Sequence, residues 1–321
     1  MQFDRTPHPS DAGIDAAFER KRAGAARVWD APKFRLADVA AANDRLTLRV
    51  GLTSYREHVG TSSSARPLDE RRALRRDGAR SLGSNRAHLA MALGVETALR
   101  TADGALVLLR RSERVADFAG ALNGPGGHPE PDRVSAGGGT PMDGASARRE
   151  IFDAILRETA EETGVPLASL SRPKLIGTMM DANGKPDALF LTTTTLSRDE
   201  VAAAAKGATD AWESSAIAFA SATPPSDPKE DAVEPTSVFW GRRAASVSAA
   251  TRAAADCLLM LAATTPPGSS AAARDDALDA AVEHDLAEVA RIIERDALER
   301  VAVEGGTTRV PVRVASRFAG I

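Results

Sequence analysis

Four charged residues that could do chemistry together lie within six positions of the chain: Arg157, Glu158, Glu161 and Glu162. At about 100° per residue of a helix, Glu158 and Glu162 fall one turn apart on the same face, and Glu161 projects beside them. Three carboxylates at this spacing repel one another, and acids near a helix C-terminus oppose the helix dipole. A solvated acidic helix end is therefore the weaker interpretation. A divalent cation is the natural counter-charge, and Mg²⁺ suits a site with few carboxylates plus substrate phosphates.

A glycine-rich segment precedes this acidic cluster, and residues 123–131 read Asn-Gly-Pro-Gly-Gly-His-Pro-Glu-Pro. Gly126 and Gly127 permit backbone angles that other residues resist, so we expect the chain to pass close to a metal ion or to phosphates there. A backbone carbonyl of this loop is a candidate for an extra metal ligand. His128 is either a binding residue or a structural histidine of the loop.

Residues 157–165, Arg-Glu-Thr-Ala-Glu-Glu-Thr-Gly-Val, resemble the core of the Nudix box, with Thr159 in its aliphatic position, and residues 123–131 resemble the entry to that box. Two features depart from the usual box. A glycine-rich insert, 132–144, separates the entry from the helix, and Glu150 lies one position away from the expected first glutamate. The same departures occur in the animal UDP-glucose/UDP-galactose diphosphatases of the Nudix superfamily, which the chain also resembles in flanking segments: 31–36, 51–56, 60–61, 93–95, 108–112, 167–173 and 213–214.

The resemblance implies a Mg²⁺-dependent hydrolase, with Mn²⁺ or Ca²⁺ as ions that could bind in place of Mg²⁺. It points to Glu158 and Glu162 as metal ligands, and to Glu161 as a third ligand or as the residue that holds the metal-bound water. We expect Arg157 to orient the glutamates by charge-assisted hydrogen bonds. Glu150 lies about two helical turns before Arg157, where it either pairs with that arginine or is solvated.

Glu213 matches a later loop of the family, and a carboxylate arriving there is a candidate general base or a further metal ligand. Asp187 is the competing candidate. Gly126, Gly127 and His128 are expected to bind substrate. Tyr55 and Arg56 are candidates for uracil stacking or phosphate contact, and a core position at the end of a strand is the alternative for Tyr55.

The reaction that the resemblance implies is hydrolysis of a UDP-sugar to UMP and a sugar 1-phosphate. The first alternative is the same chemistry on another diphosphate, such as ADP-ribose or a dinucleotide. A Nudix fold that senses a ligand without catalysis is the second. The intact carboxylates Glu158, Glu161 and Glu162 argue against the second alternative, because a silent domain has no need of mutually repelling acids.

Composition narrows the class of protein. The chain has 321 residues, 43% of them hydrophobic, and a formal net charge of −3. There is no basic field to hold a nucleic acid, and no apolar run reaches the roughly 18 residues of a membrane helix. The single cysteine, Cys257, excludes an intramolecular disulfide and lies in an apolar run typical of a core. We therefore expect a soluble intracellular enzyme, in the cytoplasm. The resemblance implies that its partner is a small nucleotide sugar. The oligomeric state is left open.

Periodicity and composition predict three parts: an N-terminal α+β region (1–89), an α/β domain (90–265) and a helical C-terminal tail (266–321). The resemblance implies that the middle part is a Nudix-type α/β/α sandwich. The predicted strands are 33–36 (an extended piece), 46–52, 95–99, 106–110, 175–179, 188–195 and 217–219. Helices are predicted at 11–25, within 61–82, at 199–205 and at 245–262. The acidic cluster lies on a further helix, which begins at Thr140 or near Ser146 and ends at Gly164.

Overall fold

The computed structural model describes residues 3–24, 28–42, 45–113, 120–135, 143–180 and 184–221. The predicted helix at 245–262, the run around Cys257 and the tail at 266–321 lie outside these residues. Within them the protein has the mixed α/β architecture that the sequence predicts.

Two β-sheets make up the strand content of the described residues. The first is an antiparallel hairpin of β1 (Pro32–Ala42) and β2 (Arg45–Ser54). In the second, the strand order is β5-β4-β3-β8-β7, with β6 paired to β3 and β9 paired to β4. Its strands are β3 (Gly94–Arg100), β4 (Ala105–Arg111), β5 (Leu122–Asn123), β6 (Gly126–Gly127), β7 (Lys174–Met180), β8 (Pro186–Thr193) and β9 (Ser214–Ser221). The central pair, β3 and β8, is parallel, and the other pairings are antiparallel.

Six helices accompany the sheets in the described residues: α1 (Ala12–Gly24), α2 (Tyr55–Thr61), α3 (Leu68–Leu82), α4 (Pro131–Ser135), α5 (Gly144–Thr163) and α6 (Arg198–Ala204). α5 is capped at its start by the Asp143 side chain, which accepts from the Ser146 N–H. Its end is set by Gly164, which adopts the left-handed conformation (φ 69°) favoured by glycine. The helix therefore ends where the sequence predicts and begins between the two predicted starts, of which Thr140 lies outside the described residues. None of the described helices is both long and apolar enough to cross a membrane.

The main hydrophobic core joins the N-terminal hairpin to the larger sheet. Phe34 and Leu36 of β1 pack in one cluster with Val95 of β3, Ile155 of α5 and Phe190 of β8. Hydrogen bonds continue the contact, because the Leu93 N–H donates to the Phe34 carbonyl at 2.8 Å and the Leu36 N–H donates to the Met91 carbonyl at 3.0 Å. The core thus crosses the predicted boundary at residues 89 and 90, and β1 lies against residues 91–93, directly before β3.

Candidate active site

α5 positions the acidic cluster by burying one side against the sheet. Ile151, Ile155 and Thr159 are buried there. Glu158 and Glu162 follow Ile155 by three and seven positions, so they lie on the same face of the helix, where α5 contacts β6. Glu162 is 5% exposed, and its Oε2 accepts the Gly126 N–H at 2.9 Å. The backbone N–H of His128 donates to Glu158. The structure therefore brings two of the predicted metal ligands against the predicted glycine loop.

The need for glycine at β6 is steric. A Cβ on Gly127 would lie 2.3 Å from the Glu158 carboxyl carbon, and a Cβ on Gly126 would lie 2.3 Å from the Val95 carbonyl oxygen. Neither glycine adopts a positive φ. The expectation that these glycines supply unusual backbone angles is therefore wrong. The loop lies directly on the Glu158 carboxylate, and its approach to a metal ion or to phosphates stays a prediction.

Burial and mutual repulsion disfavour charge on these acids. Burial, reinforced by the charges of Glu161 and Glu213, raises the pKa of Glu158 from 4.5 to about 7 even though Arg157 opposes the shift. The pKa of Glu162 is raised well above its usual range, again first by burial and then by the charges of Glu158 and Glu213. Carboxylates of this kind gain most from a cation placed among them.

Glu161 lies beside this pair, and its charge contributes to the raised pKa of Glu158. Its backbone carbonyl accepts the Asp210 N–H at 2.9 Å, which ties the end of α5 to the turn before β9. Among the residues that the structure describes, no group of three or more His, Cys, Asp or Glu side chains has the geometry of a closed metal site. The three predicted ligands, Glu158, Glu161 and Glu162, are thus neighbours, but their carboxylate oxygens do not surround a common metal position.

Arg157 contacts Glu150 rather than a predicted metal ligand. Its Nη2 donates to Glu150 Oε1 at 3.0 Å, and the same oxygen accepts the Glu130 N–H at 2.9 Å. Glu150 is 5% exposed, so the solvated alternative for this residue is wrong and the pairing with Arg157 is confirmed. The guanidinium charge still lowers the pKa of Glu158, so Arg157 acts on the acidic cluster through electrostatics.

Of the two candidate bases, Glu213 is the one that the structure places at the cluster. Its pKa is raised by burial, while Arg111 opposes the shift, and its charge in turn raises the pKa of Glu158 and Glu162. Its backbone carbonyl accepts the Ser112 N–H at 2.7 Å, which fixes the turn before β9. Asp187 is buried and forms an ion pair with Lys185.

The remaining predicted binding residues differ in their surroundings. His128 lies in the loop, its Nε2 is buried, and no hydrogen-bond partner for that atom occurs among the described residues. Burial and nearby cations, first Lys185 and then Lys33, hold its pKa well below the usual value, so the ring is neutral. Tyr55 begins α2 and packs on α1, and Arg56 pairs with Asp15 and donates its backbone N–H to Asp30 at 2.9 Å. Substrate contacts by Tyr55 and Arg56 stay predictions.

Two cations of the site were not predicted from the sequence. Arg111, at the end of β4, acts on the pKa of both Glu162 and Glu213. Lys33, on β1, acts on Glu158, Glu130 and His128. Both residues lie within the segments 108–112 and 31–36 that resemble the family. The signal that could have identified both residues is their position: each is a basic residue in a segment that resembles the family, in a chain that has an acidic cluster elsewhere.

The raised pKa of Glu158 predicts how metal-free stability depends on pH. The folded state keeps a proton that the unfolded state loses near pH 4.5, so between pH 4.5 and about 7 the folded state binds more protons. The free energy of unfolding therefore falls as pH rises through this window, by up to about 3 kcal/mol from Glu158. Thermal melting in EDTA between pH 4.5 and 8 measures the fall. In Glu158→Gln the fall should be smaller, and an unchanged pH dependence would show that the shift is absent.

Comparison with known proteins places the chain among sequence relatives. No protein-family model matches it. It is 38% identical over 227 residues to uridine diphosphate glucose pyrophosphatase NUDT22 of Mus musculus, and the aligned region covers 67% of this chain and 72% of the relative. The human protein of the same name is 38% identical over 228 residues, covering 67% of this chain and 74% of the relative. Nudix hydrolase 9 of Arabidopsis thaliana is 29% identical over 235 residues, covering 67% of this chain and 74% of the relative.

Solved structures with similar folds include a Nudix hydrolase from Alicyclobacillus acidocaldarius, with 12% identity and a TM-score of 0.32 over 52% of this chain and 90% of that one. A TM-score in this range adds nothing to the assignment, which rests on the sequence relatives. These relatives span about two thirds of the chain at 38% identity, and the chain carries the acidic motif of residues 157–165 with its glycine loop packed against it. The chain therefore belongs to the Nudix hydrolase family.

Proposed function

We propose that this Nudix hydrolase cleaves UDP-sugars, UDP-glucose and UDP-galactose first among them, to UMP and a sugar 1-phosphate with the help of Mg²⁺. The observation that supports this most is the pairing of a buried acidic cluster with relatives named for UDP-glucose. The cluster suits the chemistry of a diphosphate, which needs its charge neutralised and a water directed at one phosphorus.

The residues present fit a divalent cation. Glu158 and Glu162 supply carboxylate oxygens whose charged forms are disfavoured in the metal-free protein, and the lack of a side chain at Gly127 lets the Glu158 carboxylate lie against the loop. We assign Glu158 and Glu162 as the metal ligands, with Glu161 as a third ligand or as the residue that holds a metal-bound water. A bound Mg²⁺ would neutralise phosphate charge and acidify a water, and Mn²⁺ or Ca²⁺ have the same preference for oxygen ligands.

The protein's own residues then divide the remaining tasks. Glu213 accepts the proton of the attacking water, since its raised pKa brings it nearer to neutral pH and it faces the cluster. The water oxygen bonds to one phosphorus as the bond from that phosphorus to the bridging oxygen breaks, and the second phosphate leaves with the bridging oxygen. Arg157, held by Glu150, keeps a fixed positive charge beside Glu158.

The glycine loop and His128 bind the substrate in this proposal. The absence of side chains at Gly126 and Gly127 lets the loop lie against Val95 and Glu158, and we assign the loop backbone beside these carboxylates to phosphate binding. His128 is neutral and has a buried Nε2 without a partner in the described part of the chain, so the ring can donate or accept one further hydrogen bond.

With Mg²⁺ present we expect purified protein to release UMP from UDP-glucose or UDP-galactose, and we expect chelation by excess EDTA to abolish the reaction. The physical reason is that the diphosphate cannot be neutralised by a cluster of carboxylates alone. A panel of nucleoside diphosphate derivatives, with released monophosphate as the readout, measures the preference.

Three outcomes would contradict different parts of the proposal. Equal turnover of ADP-ribose and UDP-glucose would remove the assignment to UDP-sugars and leave the hydrolase assignment intact. Full activity in excess EDTA would remove the metal. Binding of these compounds without turnover of any of them would favour the alternative of a ligand sensor.

A further inference from the structure

The N-terminal hairpin places a lysine at the edge of the site. Lys33 is on β1 next to Phe34, whose carbonyl accepts the Leu93 N–H at the entry to β3. β6, with Gly127, pairs with β3 at Val95. β1 and β6 thus meet the same short stretch of chain, and α4 packs on β1. This arrangement brings the Lys33 ammonium within electrostatic range of Glu130, Glu158 and His128.

Lys33 differs from its neighbouring cations in having no partner. Arg157 pairs with Glu150, Arg133 pairs with Glu130, and Lys185 pairs with Asp187. The side chain of Lys33 forms no hydrogen bond and no ion pair with any residue that the structure describes. The residue is half-buried, and an ammonium partly withdrawn from water without hydrogen bonds costs free energy, so a purely structural role leaves this lysine unexplained.

Glu130, Glu158 and Asp132 are the acids near Lys33. Glu130 accepts a hydrogen bond from Arg133 at 2.5 Å, and Glu158 accepts one from the His128 backbone. Asp132 is exposed on α4, and His128 is neutral and offers Lys33 no charge. None of these groups accepts a hydrogen bond from the Lys33 ammonium, which is therefore available to an anion that binds beside the carboxylates to which the metal is assigned.

We propose that Lys33 binds the diphosphate of the substrate, so that the N-terminal hairpin completes the active site formed by α5 and the glycine loop. This inference rests on the proposed function in that the ligand is a nucleoside diphosphate derivative, and it does not depend on the identity of the nucleoside. The lysine supplies a point charge and up to three hydrogen-bond donors to phosphate oxygens. It is a substrate-binding residue and takes no part in proton transfer.

Lys33→Met keeps the aliphatic stem and removes the charge, and Lys33→Arg keeps the charge. We expect Lys33→Met to lower kcat/KM at least about tenfold, mainly through a higher KM, because a charged hydrogen bond to phosphate is lost. Lys33→Arg should recover part of the loss. Lys21→Met is the matched control, because Lys21 is a lysine withdrawn from water at least as far as Lys33 and also lies in the N-terminal region, but on α1. Its kcat/KM should stay near that of the parent protein.

Thermal stabilisation by UDP and by uridine, with Mg²⁺ present, separates phosphate binding from a general loss of structure. Lys33→Met should reduce the shift caused by UDP and leave any shift caused by uridine unchanged. Both kinetic and binding measurements use UDP-glucose and ADP-ribose as parallel substrates. If only ADP-ribose is cleaved and Lys33→Met impairs that reaction, the UDP-sugar assignment fails and the role of Lys33 stands.

The proposal is overturned if Lys33→Met has kcat/KM within twofold of the parent protein on every diphosphate that is cleaved, or if Lys21→Met loses as much. It is also overturned if UDP and uridine lose stabilisation alike, or if the protein neither binds nor cleaves any diphosphate in the panel.

Discussion

Glu162→Gln is expected to lower turnover by about a thousandfold or more while the metal-free protein becomes at least as stable as the parent. Glutamine keeps the shape of the side chain and an oxygen that can accept the Gly126 N–H, which Glu162 accepts at 2.9 Å. It removes the charge that we assign to metal binding. Because Glu162 is buried and repelled by Glu158 and Glu213, that charge costs free energy in the empty site.

The expected gain in stability has a definite pH dependence. Glu162 has a folded-state pKa well above 4.5, so its contribution to the free energy of unfolding falls as pH rises above the unfolded value. Glutamine does not titrate, and the difference between variant and parent should therefore grow with pH. Turnover measures the loss of catalysis, the Mg²⁺ dependence of turnover measures the loss of metal binding, and melting in EDTA at two pH values measures the gain in metal-free stability.

Glu150→Gln is the matched comparison on the same helix. Glu150 is equally buried, but its carboxylate accepts from Arg157 and from the Glu130 N–H. Both hydrogen bonds go to Oε1, so the amide oxygen of glutamine can keep them, and we expect a much smaller loss of turnover than in Glu162→Gln. A harmless Glu162→Gln together with a crippling Glu150→Gln would show that the metal lies elsewhere on α5.

Local sequence signals predicted much of this fold because they act over a few residues. Gly164 ends α5 and the alternation of 46–52 gives β2, as expected. A local signal also marks the start of α2, which was not predicted. Ser54 is the N-cap residue, its side chain accepts a hydrogen bond from the Glu57 N–H, and the spacing Ser-x-x-Glu is typical of a helix start. Tyr55 therefore begins a helix instead of ending a strand.

Contacts between distant segments could not be read in this way. The resemblance predicted that Glu213 belongs to the active site. In contrast, nothing in the sequence of residues 31–36 indicates that Lys33 lies near Glu158. The steric role of Gly127 depends on β6 pairing with β3 and on α5 crossing the same edge. The sequence therefore predicted which charged residues the chemistry needs. It did not predict which groups those residues contact in the folded protein.

Gly127→Ala is expected to lower kcat/KM by about a hundredfold or more with little loss of stability. The added Cβ would lie 2.3 Å from both the carboxyl carbon and Oε2 of Glu158. To reach ordinary contact the carboxylate must move by roughly 1 Å, and a misplacement of this size in an active site has an effect of that order. The displaced group is the end of a flexible side chain, so the fold can absorb the change.

Two other glycines in the chain make this prediction specific. In Gly126→Ala the added Cβ would lie 2.3 Å from the Val95 carbonyl oxygen, and because backbone cannot rotate away, that variant should lose stability as well as activity. In Gly144→Ala the Cβ would meet nothing within 4 Å at the first residue of α5, so both properties should be kept. Melting temperature, kcat/KM and Mg²⁺ affinity distinguish the three variants. If Gly127→Ala is fully active, or unfolds as readily as Gly126→Ala, then Glu158 does not hold its carboxylate against the loop in the working enzyme.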